Sequence, residues 1–131
     1  MSKIYLAGPI NGCTDAEAND WRSAAKKLHS DVLDPMDRDY RGKESENVAS
    51  IVEGDKDDIA VCDAVLVYFE KPSVGTSMEV FFAWQLGKPV VIVNRSGKPP
   101  SPWLVYHSST VVGSIEEAIA KIEAIEKIQA V

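Results

Sequence analysis

The chain predicts an α/β fold in which one parallel sheet is covered by helices on both faces. Short apolar runs alternate along it with segments of helical periodicity, the order that strand-helix-strand units produce. The run Pro89 to Val93 is apolar at successive positions, the mark of a strand buried on both sides. With 131 residues, 45% of them apolar, the chain can build one core and has no room for a second, so residues 1–131 are expected to form a single domain.

The first strand covers Lys3 to Ala7 and stops at Gly8-Pro9. Thr14 caps a helix running to about His29, with Ala18, Trp21, Ala24, Ala25 and Leu28 at helical spacing. Val32 and Leu33 make a short second strand closed by Asp34-Pro35, and Asp37 to Glu46 is a charged, aperiodic loop suited to act as a flap. Val48, Ile51, Val52, Ile59 and Val61 mark a second helix, and Ala64 to Phe69 a third strand. The loop Ser73 to Thr76 leads into a helix from about Ser77 to Leu86, ended by Gly87. Pro89 to Val93 is the fourth strand. Gly97 to Pro102 is a stiff connection suited to reach a neighbouring subunit. Val111-Val112 is the last strand, before a helix from Ile115 to Ile128. Right-handed crossovers between such units give a flavodoxin-like or Rossmann-like sandwich of about five parallel strands flanked by helices.

Twenty acidic against fourteen basic side chains give a net charge of −6, with no stripe of Lys and Arg to follow a phosphate backbone, which argues against polymeric nucleic acid as a ligand. A small nucleotide stays open, because helix amino ends can hold a monophosphate without a basic surface. Cys13 and Cys62 are too few and too far apart for a disulfide framework or a metal site, so no metal and no other cofactor is implied. Met1 leads straight into a strand pattern, and no apolar run approaches the ~20 residues that span a bilayer. A cytoplasmic protein without membrane association is expected.

The stretch Lys71 to Glu79 concentrates the chemistry. It places Glu79 in the first turn of a helix directly behind a buried strand, at the end of the sheet where ligands bind in such folds. The helix amino end favours an ionised Glu79, and a partly dehydrated carboxylate is a nucleophile suited to a sugar carbon. A structural reading competes, since Thr76-x-x-Glu79 has the spacing of a capping box, as do Thr14-x-x-Glu17 and Ser114-x-x-Glu117.

The loop Gly8-Pro9-Ile10-Asn11-Gly12 lacks both the full dinucleotide glycine series and a P-loop, and on its own reads as a tight turn. If the first and third strands are neighbours, it meets the Ser73 to Glu79 loop over one crevice. Asp55, Asp57 and Asp58, with Glu53, form a charge run of the kind that is usually a solvated helix face. Asp55 is the exception, one turn before Ile59, where it would stand beside Glu79 as a proton-handling group. Arg38, Tyr40 and Arg41 read as surface residues able to close over a base or phosphate. His29 and His107 read as structural, with no Ser or Cys nucleophile to partner them.

Taken together, Ile4 to Ile10, Asp55 followed by Ile59, Asp63 to Val67, and Pro72 to Glu79 resemble the nucleoside 2-deoxyribosyltransferase family, in order and with similar spacing over roughly Ile4 to Val93. The resemblance implies that Glu79 attacks the anomeric carbon of a 2′-deoxynucleoside, that Asp55 handles the proton on the base, and that Tyr5 orients the glutamate. By the same resemblance Gly8, Pro9, Ile10 and Asn11, with Ser73, Gly75, Thr76 and Met78, bind a small nucleoside or nucleotide and a free nucleobase. A homo-oligomer is also implied, with Pro102-Trp103-Leu104 either at the contact or in the core.

Ser73 stands where many of these transferases carry an acidic residue that holds sugar hydroxyls. The related 2′-deoxynucleoside 5′-monophosphate N-hydrolases carry serine there and use it on the phosphate. Pro9 and Asn11 replace the serine and arginine of those hydrolases, and Ala7-Gly8-Pro9 looks more like the transferases. Base transfer between nucleosides is therefore the first expectation and monophosphate hydrolysis the second. A non-catalytic nucleotide-binding domain, with Glu79 as a cap only, is the third.

Overall fold

The computed structural model describes residues 2–129. Its strands are β1 (Ile4–Ala7), β2 (Val32–Leu33), β3 (Ala64–Phe69), β4 (Val90–Asn94) and β5 (Thr110–Val112). Its helices are α1 (Asp15–Leu28), α2 (Val48–Val61), α3 (Val74–Gln85), α4 (Pro102–Tyr106) and α5 (Ile115–Gln129). All five strands are parallel in the order β2-β1-β3-β4-β5, so the expected five-stranded α/β sandwich is the fold. The order reverses between β1 and β3, which makes their carboxyl ends the place where a crevice opens.

Strand side chains alternate between the faces, and this sorts the core into two layers. Ile4 and Leu6 of β1 join Trp21, Ala25, Ile119 and Ile122 of α1 and α5 on one face. Tyr5 and Ala7 point the other way, toward Ile59 of α2 and Val80 and Ala83 of α3. The pleat of β1 alone thus puts Tyr5 on the face covered by α2 and α3.

Most boundaries fall within a residue or two of the sequence expectation, with one consequential difference. Helix α3 begins at Val74, three residues before the expected Ser77, because Ser73 is its N-cap and accepts from the Thr76 N–H at 3.3 Å. Thr76 and Glu79 therefore form no capping box. The two comparison sites do what their spacing implies: Thr14 and Glu17 close a reciprocal box, and Ser114 accepts from the Glu117 N–H at 3.1 Å. The charged loop also carries two short 3-10 turns, Pro35–Arg38 and Glu44–Glu46.

In α1 the buried face is Ala18, Trp21, Arg22 and Ala25, whereas Ala24 and Leu28, counted apolar in the periodic pattern, are exposed. Arg22 is buried because every direction its guanidinium faces offers an acceptor. It donates to the carbonyls of Leu6 at 2.8 Å, Gly8 at 3.1 Å and Ala18 at 2.8 Å, and to Asp34 Oδ1 at 2.8 Å. Asp34, equally buried, also accepts from the Met36 N–H and pairs with Lys26. The Trp21 ring packs under the Arg22 guanidinium and stacks on Tyr68. A Cβ on Gly8 would lie 2.6 Å from that indole, so no other residue fits there, while Gly12 supplies the positive φ of the turn that follows.

Removing one member of a buried ion pair leaves the other charge without compensation. Asp34→Ala is expected to cost about 3–5 kcal/mol of folding stability, read as a lower urea midpoint. A change below about 1 kcal/mol would show that the carbonyls alone satisfy Arg22.

Candidate active site

Three elements bring three titratable side chains to the β1/β3 crevice: Tyr5 from β1, Asp55 from α2 and Glu79 from α3. The Tyr5 hydroxyl donates to Glu79 Oε2. Tyr5 is fully buried, which fixes the phenol from below and leaves the carboxylate facing the opening. Since α3 starts at Val74, Glu79 lies in its second turn, on the same face as Thr76 and one turn from the amino end. Ser73 has already taken the cap, so Glu79 is free of that duty.

The electrostatics differ from the sequence expectation of a permanently ionised carboxylate. Burial pushes the Glu79 carboxyl up to about 8; the hydrogen bond from Tyr5 pulls the other way, the negative charge of Asp55 adds to the rise, and Arg22 opposes it. The expected help from the helix amino end fades within the first turn, and Glu79 lies beyond it. Tyr5 is driven upward in turn by burial, then by Glu79 and Asp55, so it stays a neutral donor. Asp55 is also raised by burial, with Arg38 opposing and Asp58 adding to the rise.

The cleft is lined by Gly8, Ile10 and Asn11 on one side and by Ser73, Gly75, Thr76 and Glu79 on the other. Asp55 and Ile51 lie along α2, and Pro35, Arg38, Tyr40, Arg41 and Glu44 close the outer wall. The Thr76 hydroxyl is buried with no hydrogen-bond partner. Arg41 ties the outer wall to the opposite rim, donating to the Cys13 carbonyl at 3.1 Å and to Asp15 at 2.6 Å. Three other hollows, of about 350–360 Å³, hold no comparable set of carboxylates. No group of side chains suited to hold a metal ion occurs among the described residues.

The model of a known family, nucleoside 2-deoxyribosyltransferase, matches residues 4–117. The chain belongs to the nucleoside 2-deoxyribosyltransferase family. Solved structures agree at the level of fold. A 2-deoxyribosyltransferase from Bacillus psychrosaccharolyticus superposes with a TM-score of 0.75 at 18% identity, over 92% of this chain and 96% of that one. A conserved protein from Enterococcus faecalis V583 gives 0.73 at 18% identity, over 95% and 98%. The CMP N-glycosidase BcmB of Clostridium botulinum gives 0.57 at 15% identity, over 92% and 99%. No match was found among curated protein sequences. Membership in this family means an enzyme acting on N-glycosidic bonds of small nucleoside substrates.

Of the residues that the family resemblance assigned to the site, Glu79, Asp55, Gly8, Ile10, Asn11, Ser73, Gly75 and Thr76 line one cleft, with Tyr5 bonded beneath. Two fall elsewhere. Met78 is 66% exposed and lies beside Phe81 and Trp103 on another face of α3, since a helix turns about 100° between neighbouring residues and Glu79 already faces the cleft. Pro9 is buried and contributes no wall. Arg38, Tyr40 and Arg41, expected at the surface and able to close over a ligand, form part of the outer wall, whereas Asp58, expected to be solvated, holds Arg38 at 2.8 Å. Arg22 was missed altogether. Its one signal was a charged residue beside Trp21 within the apolar stripe of α1.

The raised carboxyl has a consequence for stability. The unfolded chain loses the Glu79 proton near 4.5 while the folded one keeps it until about 8, so between these values the unfolded state binds fewer protons and stability falls as pH rises. Glu79→Gln removes that burden. The variant should match the parent below about pH 4.5 and exceed it by about 3 kcal/mol at pH 7. Urea unfolding at the two pH values reads the difference.

Proposed function

We propose that the protein transfers a 2-deoxyribosyl group between nucleobases through a covalent ester on Glu79. The observation that carries this reading is the convergence of Tyr5, Asp55 and Glu79 at the base of one cleft. A carboxylate Oε of Glu79 bonds to the anomeric carbon as the N-glycosidic bond breaks, and the departing base leaves with the bonding electron pair and takes a proton from Asp55. A second base then attacks the same carbon, returns its proton to Asp55 and expels Glu79, so two inversions restore the configuration.

Electrostatics meet the demand in part. Nucleophilic attack needs Glu79 ionised and Asp55 protonated, and the Tyr5 hydroxyl favours the anion at Glu79. Burial raises the proton affinity of both carboxyls, so Glu79, pushed up to about 8, reaches its anion toward the alkaline side of neutrality. In this reading the unpartnered Thr76 hydroxyl, on a residue that lines the cleft, binds a sugar oxygen.

A second reading is N-glycosidic hydrolysis of a 2′-deoxynucleoside 5′-monophosphate. Ser73 favours it: at the amino end of α3, its hydroxyl accepts from Thr76 and keeps a proton to donate to a phosphate, beside the free N–H groups of the first turn. Water would then take the place of the second base. Non-catalytic binding, with Glu79 as a cap, loses its basis because Ser73 is the cap.

The protein is also proposed to self-associate through α3 and α4. Phe81, Trp84, Trp103 and Tyr106 are 36%, 44%, 74% and 72% exposed. At roughly 150–250 Å² per aromatic side chain they leave on the order of 450 Å² bare. Met78 and Val105 extend this toward the ~800 Å² that each partner buries in a stable contact. Apart from Glu79, which faces the cleft, neither helix carries a charge, so two copies of this acidic chain meet there without repulsion.

Incubation with deoxyinosine and adenine should yield deoxyadenosine and free hypoxanthine, followed by chromatography. Base release from deoxynucleoside monophosphates alone would select the hydrolase, and binding without turnover of either would reject both. Glu79→Ala should lower kcat by a factor on the order of 10⁴ with the fold intact. An unchanged rate would remove Glu79 as nucleophile. In gel filtration, Trp103→Glu with Tyr106→Glu should convert an oligomer to monomer; a parent that is already monomeric would refute the interface.

A further inference from the structure

We propose that Arg38 is a positioning residue for Asp55, held off from a full ion pair by Asp58 so that Asp55 can both give and take a proton. One nitrogen carries the argument. Arg38 Nη2 lies 2.8 Å from Asp58 Oδ2 and 3.4 Å from Asp55 Oδ1. The short contact is a full charge-assisted hydrogen bond, and the long one is marginal. Asp55 and Asp58 stand three residues apart on α2 and so present their carboxylates side by side to one guanidinium.

Position 54 makes room for this. A Cβ on Gly54 would lie 3.3 Å from Arg38 Nη2 and 3.4 Å from Nε, tighter than ordinary contact. Glycine inside a helix is less favourable than alanine, and here it lets the guanidinium lie against the α2 backbone between its two partners. Arg38 itself comes from the Pro35–Arg38 turn, which hangs from buried Asp34 through the Met36 N–H. Its backbone position is therefore set by the core and not by the cleft.

The division of contacts matters because double displacement asks two opposed things of Asp55. A full-strength bond to Arg38 would fix it as a carboxylate that cannot protonate a leaving base. Without Arg38, burial would raise its proton affinity further and make it slower to release the proton taken from the incoming one. The other charged or titratable groups that face Asp55 are Asp58 from its own helix, Tyr5 from β1, Arg22 from α1 and Glu79 from α3. Tyr40, Arg41 and Glu44 line the outer cleft, with Arg41 committed to Asp39 and Asp15. Among these, Arg38 is the cation that shares one nitrogen between Asp55 and a competing carboxylate.

The inference rests on the reading of Asp55 as the proton-handling group, and its test is made on the resting protein. NMR of isotope-labelled aspartate carboxyls, with the Asp55 signal assigned by its loss in Asp55→Asn, gives the midpoint directly. Arg38→Met should raise that midpoint by about half a pH unit or more, a threefold change in proton affinity. Asp58→Asn should lower it, because a repelling charge is gone and Arg38 is released to Asp55. Arg38→Lys, which keeps the charge without the fork, should fall between parent and Arg38→Met. Whichever limb of the pH–rate profile Asp55 governs should move in the same two directions. Opposite displacements carry the proposal; displacements of the same sign, or none in either variant, overturn it, including when both variants remain folded and active. Absence of base exchange by the parent protein would count against the transferase reading, whereas the midpoints decide the role of Arg38.

Discussion

The buried pair of Arg22 and Asp34 is the interaction on which the rest of the cleft depends. Arg22 binds the carbonyls of Leu6 and Gly8, so it fixes the carboxyl end of β1 and the loop that forms one wall. Asp34, its partner, starts the turn that delivers Arg38 to the other wall. Two walls from segments thirty residues apart are therefore referenced to one ion pair. Such a pair contributes little net stability against its desolvation, but it allows few alternative arrangements because any loss of geometry leaves a bare charge inside.

On that frame the chemistry follows from burial. Three ionisable groups are crowded where the sheet order reverses, and removing water raises all three. The proposed role of Glu79 as nucleophile asks for the anion, and an elevated proton affinity works against it near neutral pH. The hydrogen bond from Tyr5 offsets part of this. The same helix that carries Glu79 turns an uncharged aromatic face outward, so any contact made there bears on the element that holds this carboxyl.

Much of the site was legible along the chain because β1, the β3–α3 loop and Asp55 lie in short segments whose residue types and order are shared with a known family. Capping was the point at which local pattern failed. Three of the expected helix starts carry the same Ser/Thr-x-x-Glu spacing, and two of them are caps. The third is not, because Ser73 offers a cap three residues earlier and a helix takes only one. No local rule ranks two adjacent caps, since the choice depends on where β3 ends and how α3 packs against it.

The sequence by itself determined the parallel sheet, its five strands and four of the five helices, because periodicity acts over a few residues at a time, and the family, because its motifs recur in order; the short helix Pro102–Tyr106 was not among these. Only the tertiary structure decided the protonation of Glu79, the buried place of Arg22, the division of Arg38 between two aspartates and the outward turn of Met78. Each of these is set by groups that are distant in sequence and brought together by packing, and desolvation depends on neighbours that no local pattern records.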